Sequence, residues 1–221
     1  MGERCDMAPS LKLQNSITKP SIISHRGNLE GANPYKENHP DYLEAALKKG
    51  FGIEFDVWFV NGQWALGHDE PQYAVTFSYL LGLGRSGREG YDNYREAPKA
   101  WMHLKNLPAV QEMKSIDHYA SCGRSSDGMG ASQLARRINY FWHEEDAITI
   151  TNHGHVWTHP KVVTIPFGSA WVVPEVKPRI AGVYDHENPN WTRASWVCVD
   201  YPVAVNALYE DLRTSKEYFR K

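Results

Sequence analysis

Glu54 and Asp56 stand two apart inside an apolar run, Ile53-Glu54-Phe55-Asp56-Val57. In an extended strand successive side chains alternate faces, so this spacing sets both carboxylates on one face and Ile53, Phe55 and Val57 on the other. Two carboxylates on the inward face of an apolar strand are costly unless a positive group meets them. A hard divalent cation is the simplest such group. The plain alternative is a solvent-facing pair, or one matched with Arg26 and Lys105. Two histidines, His25 and His68, follow short apolar runs, and a pair of imidazoles can act as general acid and general base near neutral pH. Taken singly, each of these features is common.

The elements that must carry these groups can be read in outline. Ser21-Ile22-Ile23-Ser24 is a strand candidate that leads into His25-Arg26-Gly27. Breakers fill residues 28–40, and Asp41 is a plausible N-cap for a helix with Tyr42, Leu43, Ala46 and Leu47 at helical spacing. Residues 53–60 form the next strand. Asn61-Gly62 is a hairpin signal, and residues 63–66 return toward Gly67-His68-Asp69. The Gly-rich piece 82–90 reads as a loop or short insertion, and residues 121–131 as a second surface loop. Further short apolar segments lie at 100–105, 138–142, 147–151, 156–157, 171–173 and 196–199, with helices at 107–113 and 203–212. Strands alternating with helices indicate a parallel sheet. About eight strand candidates predict a small closed (β/α)8 TIM-type barrel over 20–221, with some helices reduced, behind a polar tail at 1–19.

In combination the motifs are more specific. His25-Arg26-Gly27, Glu37-Asn38-His39, Gly52-Ile53-Glu54-Phe55-Asp56-Val57 and His68-Asp69 occur in order. This set resembles the glycerophosphodiester phosphodiesterase family, which shares its barrel with phosphatidylinositol-specific phospholipases. The resemblance implies His25 and His68 as the acid/base pair and Glu54 and Asp56 as metal ligands. It implies Arg26 as a phosphate-holding fork, a geometry that suits guanidinium. Where the family carries a later E-x-K, this chain has His103-Leu104-Lys105. Lys105 keeps the phosphate-facing lysine, and His103 stands in the glutamate's place: either His103 is the third ligand, or water fills the position, or another carboxylate, Glu175 or Asp200, reaches in. Asp200-Tyr201-Pro202 echoes the family's closing strand end, and His39 stands where the family has threonine. The implied cofactor is a divalent ion, Mg²⁺ or Ca²⁺ ahead of Mn²⁺ or Zn²⁺, although imidazole suits softer ions better than Mg²⁺ or Ca²⁺. The implied reaction is metal-dependent cleavage of a glycerophosphodiester-like small molecule. A barrel that binds phosphate without turnover, and a lyase that releases a cyclic phosphate, are the alternatives.

Trp142 and Trp171, with Trp157, are candidates for a substrate wall beside the polar run 143–146, whose plain reading is a surface turn. His153, His155 and His159 match no standard zinc spacing and read as loop residues. Net charge is -2, which supplies no footprint for nucleic acid. Three scattered cysteines argue against a disulfide framework and a structural zinc site. No long apolar run predicts a membrane span, and residues 1–19 lack the apolar core of a signal peptide. A cytoplasmic location is the default expectation.

Overall fold

The computed structural model describes residues 19–85, 99–121, 138–144, 146–159, 162–172 and 190–218. Its strands are β1 (Ser21–His25), β2 (Gly52–Val60), β3 (Gln63–Leu66), β4 (Tyr73–Val75), β5 (Ala100–Leu104), β6 (Asn139–Phe141), β7 (Ile148–Ile150), β8 (Val156–Thr158), β9 (Ser169–Val172) and β10 (Ala194–Val199). Its helices are α1 (Pro40–Lys48), α2 (Phe77–Arg85), α3 (Leu107–Ser121), α4 (Asn190–Arg193) and α5 (Pro202–Tyr218).

The strands form one 10-stranded mixed sheet. Parallel pairing runs β6, β5, β2, β1, β10, β9, β8, and β7 closes the far edge antiparallel to β8. At the other end β3 and β4 are hairpin strands that extend the second half of β2. No ladder joins β6 to β7 among the described residues, so the sheet curls into a half-barrel. Asn152 bridges that gap locally: its N–H donates to the Tyr140 carbonyl at 3.0 Å, and its Oδ1 accepts from the Tyr140 N–H at 2.8 Å.

The expectation of an eight-fold (β/α)8 barrel is therefore overturned. Among the described residues, helices separate the parallel neighbours in β1-α1-β2 and in β5-α3 toward β6, and α4 leads directly into β10. Other connections carry antiparallel strands, as in β2-β3-β4 and β7-β8, which need only tight turns. The 159–168 connection contains no helix among its described residues and is too short for an ordinary crossover helix. The segment around Gly82, read as loop, is the helical α2, whose Leu80 and Leu83 are buried. Burial of that apolar face outweighs the helix cost of Gly82 and Gly84, about 1 kcal/mol each. Residues 86–98, 122–137 and 173–189 lie outside the described residues, as does most of the expected 1–19 tail; Lys19 itself pairs with Glu210 on α5 at 2.6 Å.

Period-two alternation splits the sheet into two faces. Outward, Ile53, Phe55 and Val57 of β2 join Met102 and Leu104 of β5, Leu43 and Ala46 of α1, and Ala109 and Met113 of α3. A second outer cluster sets Trp171, Val197 and Val199 against Trp191 and Val205. Inward, Ile23, Trp101, Phe141, Trp157, Ala170, Val172, Trp196 and Cys198 fill the concave side. The polar candidates continue these inward rows toward the C-terminal ends of the parallel strands.

Candidate active site

His25 is the last residue of β1 and pairs in register with Glu54 on β2, while Asp56 pairs with His103 on β5. Sheet register alone thus brings three stretches of sequence together at one mouth. Lys105 follows β5, fixed by its N–H donating to the Val57 carbonyl at 2.9 Å. Asn106 then locks the start of α3, accepting from the Ala109 N–H at 3.1 Å and donating to the Phe59 carbonyl at 3.0 Å.

Two glycines make the histidine-bearing loops sterically feasible. Gly27 has φ +85°, and a Cβ there would lie 3.0 Å from the Tyr42 carbonyl carbon. Gly67 has φ +151°, and a Cβ would meet the Glu70 carbonyl oxygen at 2.0 Å, a hard clash. Glycine avoids both penalties because it has no Cβ. The loop before α1 also holds Arg26 and Asn38 at positive φ, 52° and 62°.

Asp56 is fully buried and fully engaged. Its Oδ1 lies 3.0 Å from His103 Nδ1 and 3.4 Å from Lys105 Nζ. Its Oδ2 accepts from Asn38 Nδ2 at 3.0 Å and lies 3.1 Å from Arg26 Nε, without the alignment of a hydrogen bond. Asn38 Oδ1 in turn accepts from the Asp56 N–H at 2.8 Å. Burial opposes ionisation of Asp56, but the His103 hydrogen bond and the charges of Arg26, His103 and Lys105 outweigh it. The carboxyl is held far below the usual range.

Glu54 is the opposite case. It is 3% exposed, and its Oε2 has no hydrogen-bond partner. The nearest ring nitrogens are His25 Nε2, 3.9 Å from Oε2, and His103 Nδ1, 4.0 Å from Oε1. Burial first, then the Asp56 charge, pushes its pKa up. A buried carboxylate oxygen without a donor is expensive. One donor atom each from Glu54, Asp56 and His103 lies within 4.8 Å of the others. The donor set of two carboxylates and one imidazole, with an orphaned oxygen among them, fits a divalent cation.

His25 is oriented from behind. Its Nδ1 lies 2.8 Å from Asp200 Oδ1, and Asn28 Nδ2 donates to the same oxygen at 2.9 Å. Burial disfavours the charged ring, yet the Asp200 hydrogen bond and the Glu54 charge prevail, so the His25 pKa is raised. Asn28 and Arg26 both donate to Glu37, at 3.0 Å each, tying the loop to itself.

His68 follows β3, whose Leu66 pairs with Val57, and Gly67 N–H donates to the Asp56 carbonyl at 3.2 Å. It therefore stands at the same mouth as His25. Its Nδ1 lies 2.7 Å from Asp69 Oδ1, and the ring is 39% exposed. Partial burial and the positive charges of Arg26 and Lys105 lower its pKa, against the Asp56 charge.

The structure brings His25, Arg26, Glu54, Asp56, His68, His103 and Lys105 to one mouth. Asp200 reaches it as the partner of His25 rather than as a member of the Glu54-Asp56-His103 cluster. Glu175 lies outside the described residues. Trp142 is half-exposed beyond β6, whereas Trp171 faces the other side of the sheet, edge-on to Trp191 at 5.4 Å between ring centroids. Even-odd parity is the reason: Ala170 and Val172 of β9 point inward, so Trp171 points out. His155, read as a loop residue, packs its ring against Trp101 and Trp196.

Sequence reasoning gave no individual role to Asn28, Glu37, Asn38 or His143. Glu37 and Asn38 were visible inside their motif, but Asn28 looked like a turn residue. His143 lies parallel to His103, 4.5 Å between centroids, and its carbonyl is 3.4 Å from His103 Nε2. Burial first, then the His103 charge, lowers the His143 pKa to about 4. A cavity of about 350 Å³ opens at the other end of the strands, among Lys19, Phe51, Lys99 and Trp196, and is separate from this site. No family model and no curated protein matches the chain.

Proposed function

We propose that the protein is a metal-dependent phosphodiesterase of the glycerophosphodiester-cleaving kind, acting by histidine acid/base catalysis. The observation that carries this reading is the convergence of His25, Glu54, Asp56, His68 and His103 at one mouth, with Glu54 Oε2 buried and unpartnered. Glu54, Asp56 and His103 would hold the cation, whose chemistry is to neutralise charge developing on phosphate oxygens.

The residues divide the remaining tasks. Arg26 spends one N–H on Glu37 and sets Nε beside Asp56, which leaves further donors of its fork for a phosphate oxygen. Lys105 adds a second positive charge from the β5 side. His68, whose environment favours the neutral ring, accepts a proton from water or from a neighbouring hydroxyl of the substrate. That oxygen attacks phosphorus and the bond to the departing alcohol breaks. His25, whose environment favours the charged ring, gives its proton to the departing alkoxide. Water as nucleophile yields a phosphomonoester and an alcohol; an internal hydroxyl yields a cyclic phosphate and an alcohol.

The test is turnover of bis(p-nitrophenyl) phosphate and of glycerophosphodiesters, followed by phosphorus NMR. Activity that requires an added divalent ion and disappears with chelator supports the reading. Ligand-dependent thermal stabilisation without product, across the divalent ions, would identify a phosphate-binding protein instead.

A further inference from the structure

Asp56 and Glu54 are unequal carboxylates, and the difference bears on which ion the cluster prefers. Hard ions such as Mg²⁺ and Ca²⁺ are held by accumulated negative charge and oxygen donors. Here Asp56 is already compensated: Arg26 Nε at 3.1 Å, Lys105 Nζ at 3.4 Å and the Asn38 amide at 3.0 Å surround it. Glu54, by contrast, keeps a buried carboxylate oxygen with no hydrogen-bond partner. The third donor is His103 Nδ1, a directional ring nitrogen 3.0 Å from Asp56 Oδ1, which ligates a metal on giving up its proton.

The imidazole is also set in place. Its ring lies parallel to Phe141 and to His143, at interplanar angles of 7° and 8°. Nε2 is turned to the His143 carbonyl at 3.4 Å, and Nδ1 faces both carboxylates, 3.0 Å from Asp56 and 4.0 Å from Glu54. A carbonyl against the far nitrogen fixes ring orientation and supports ligation through the near one. Resting on the reading that this cluster holds a metal, we infer that His103 makes it a site for a borderline transition ion of the Zn²⁺ or Co²⁺ class in preference to Mg²⁺ or Ca²⁺. Imidazole suits such ions, whereas Mg²⁺ and Ca²⁺ take oxygen.

The experiment is calorimetric titration of the full chain with Zn²⁺, Co²⁺, Mg²⁺ and Ca²⁺, no phosphodiester present, together with the visible absorption of the Co²⁺ form. One Zn²⁺ or Co²⁺ should bind per chain more tightly than Mg²⁺ or Ca²⁺. His103→Gln should weaken Zn²⁺ and Co²⁺ by at least the roughly 10–100-fold that losing even a supporting partner costs, and change the Co²⁺ bands. His103→Glu should move the preference toward Mg²⁺ and Ca²⁺, which keeps the inference testable if the Gln variant does not fold. Mg²⁺ or Ca²⁺ binding as tightly as Zn²⁺, or unchanged Zn²⁺ affinity in either folded variant, overturns it. The two readings fail separately: tight Zn²⁺ binding without phosphodiester cleavage sinks the enzyme alone, and cleavage without transition-ion preference sinks this inference alone.

Discussion

Asp200, 175 residues away along the chain, sets its Oδ1 2.8 Å from Nδ1 of His25. The parallel β1–β10 pair makes this contact, since Ser24 is in register with Val199 at the end of β10, and His25 and Asp200 each come next along the chain. Nε2 of His25 is thereby left facing Glu54 and the open mouth.

Replacing that carboxylate tests the acid role. The folded His25 pKa is raised, with burial opposing and Asp200 and Glu54 favouring the charged ring. If charged His25 is the acid, activity falls on the alkaline side as that ring loses its proton. Asp200→Asn removes the negative charge, so the alkaline limb of kcat/KM should move to lower pH while the acid limb stays. An unmoved alkaline limb would assign the acid elsewhere. Folding linkage has a matching sign: His25 stabilises the fold below its unfolded pKa, and this is lost as pH rises through the folded value.

Alanine at His25 or at His68 should each cost about 10²–10⁴-fold in turnover, the usual scale for one general acid or base. Circular dichroism should remain native for His68→Ala, whose ring is substantially exposed. Turnover close to that of the parent in both variants would remove the histidine mechanism.

Asn38 is a positioning residue whose loss should be felt as stability. Its side chain both donates to and accepts from Asp56, and its φ is +62°. Asn38→Ala leaves a buried carboxylate and a buried N–H short of a partner and should cost about 1–3 kcal/mol. Asn38→Gly loses the same bonds but relaxes the left-handed backbone, worth roughly 1 kcal/mol. Urea midpoints should therefore rank parent, then Gly, then Ala; an Ala variant as stable as the parent contradicts this account.

Acid should destabilise the fold partly through His143. Its folded pKa is lowered to about 4, by burial first and the His103 charge second. The unfolded ring takes its proton near 6.5, so its contribution is present above that pH and is lost as pH falls toward 4. His143→Phe keeps a parallel ring against His103 and removes the titration. Its urea midpoint should fall less steeply than the parent's between pH 6.5 and 4, and identical slopes would exclude His143 as the source.

The sequence by itself determined the local parts. Alternation along 53–57 separated Glu54 and Asp56 from Ile53, Phe55 and Val57 because strand geometry has period two. Asn61-Gly62 announced a hairpin because both residues tolerate positive φ, and they have it, 51° and 78°. The ordered motifs carried the acidic pair and both histidines. Tertiary structure decided how the strands join and what each group meets. The half-barrel in place of a closed eight-fold barrel depends on which short connections became antiparallel strands, and strand propensity does not encode partner or direction. Trp171 turned outward through a register that its own apolar run left unspecified. Asp200 became the partner of His25, and Asp56 became saturated while Glu54 did not, because hydrogen-bond partners distant in sequence are chosen by strand order and loop path, which only the folded chain supplies.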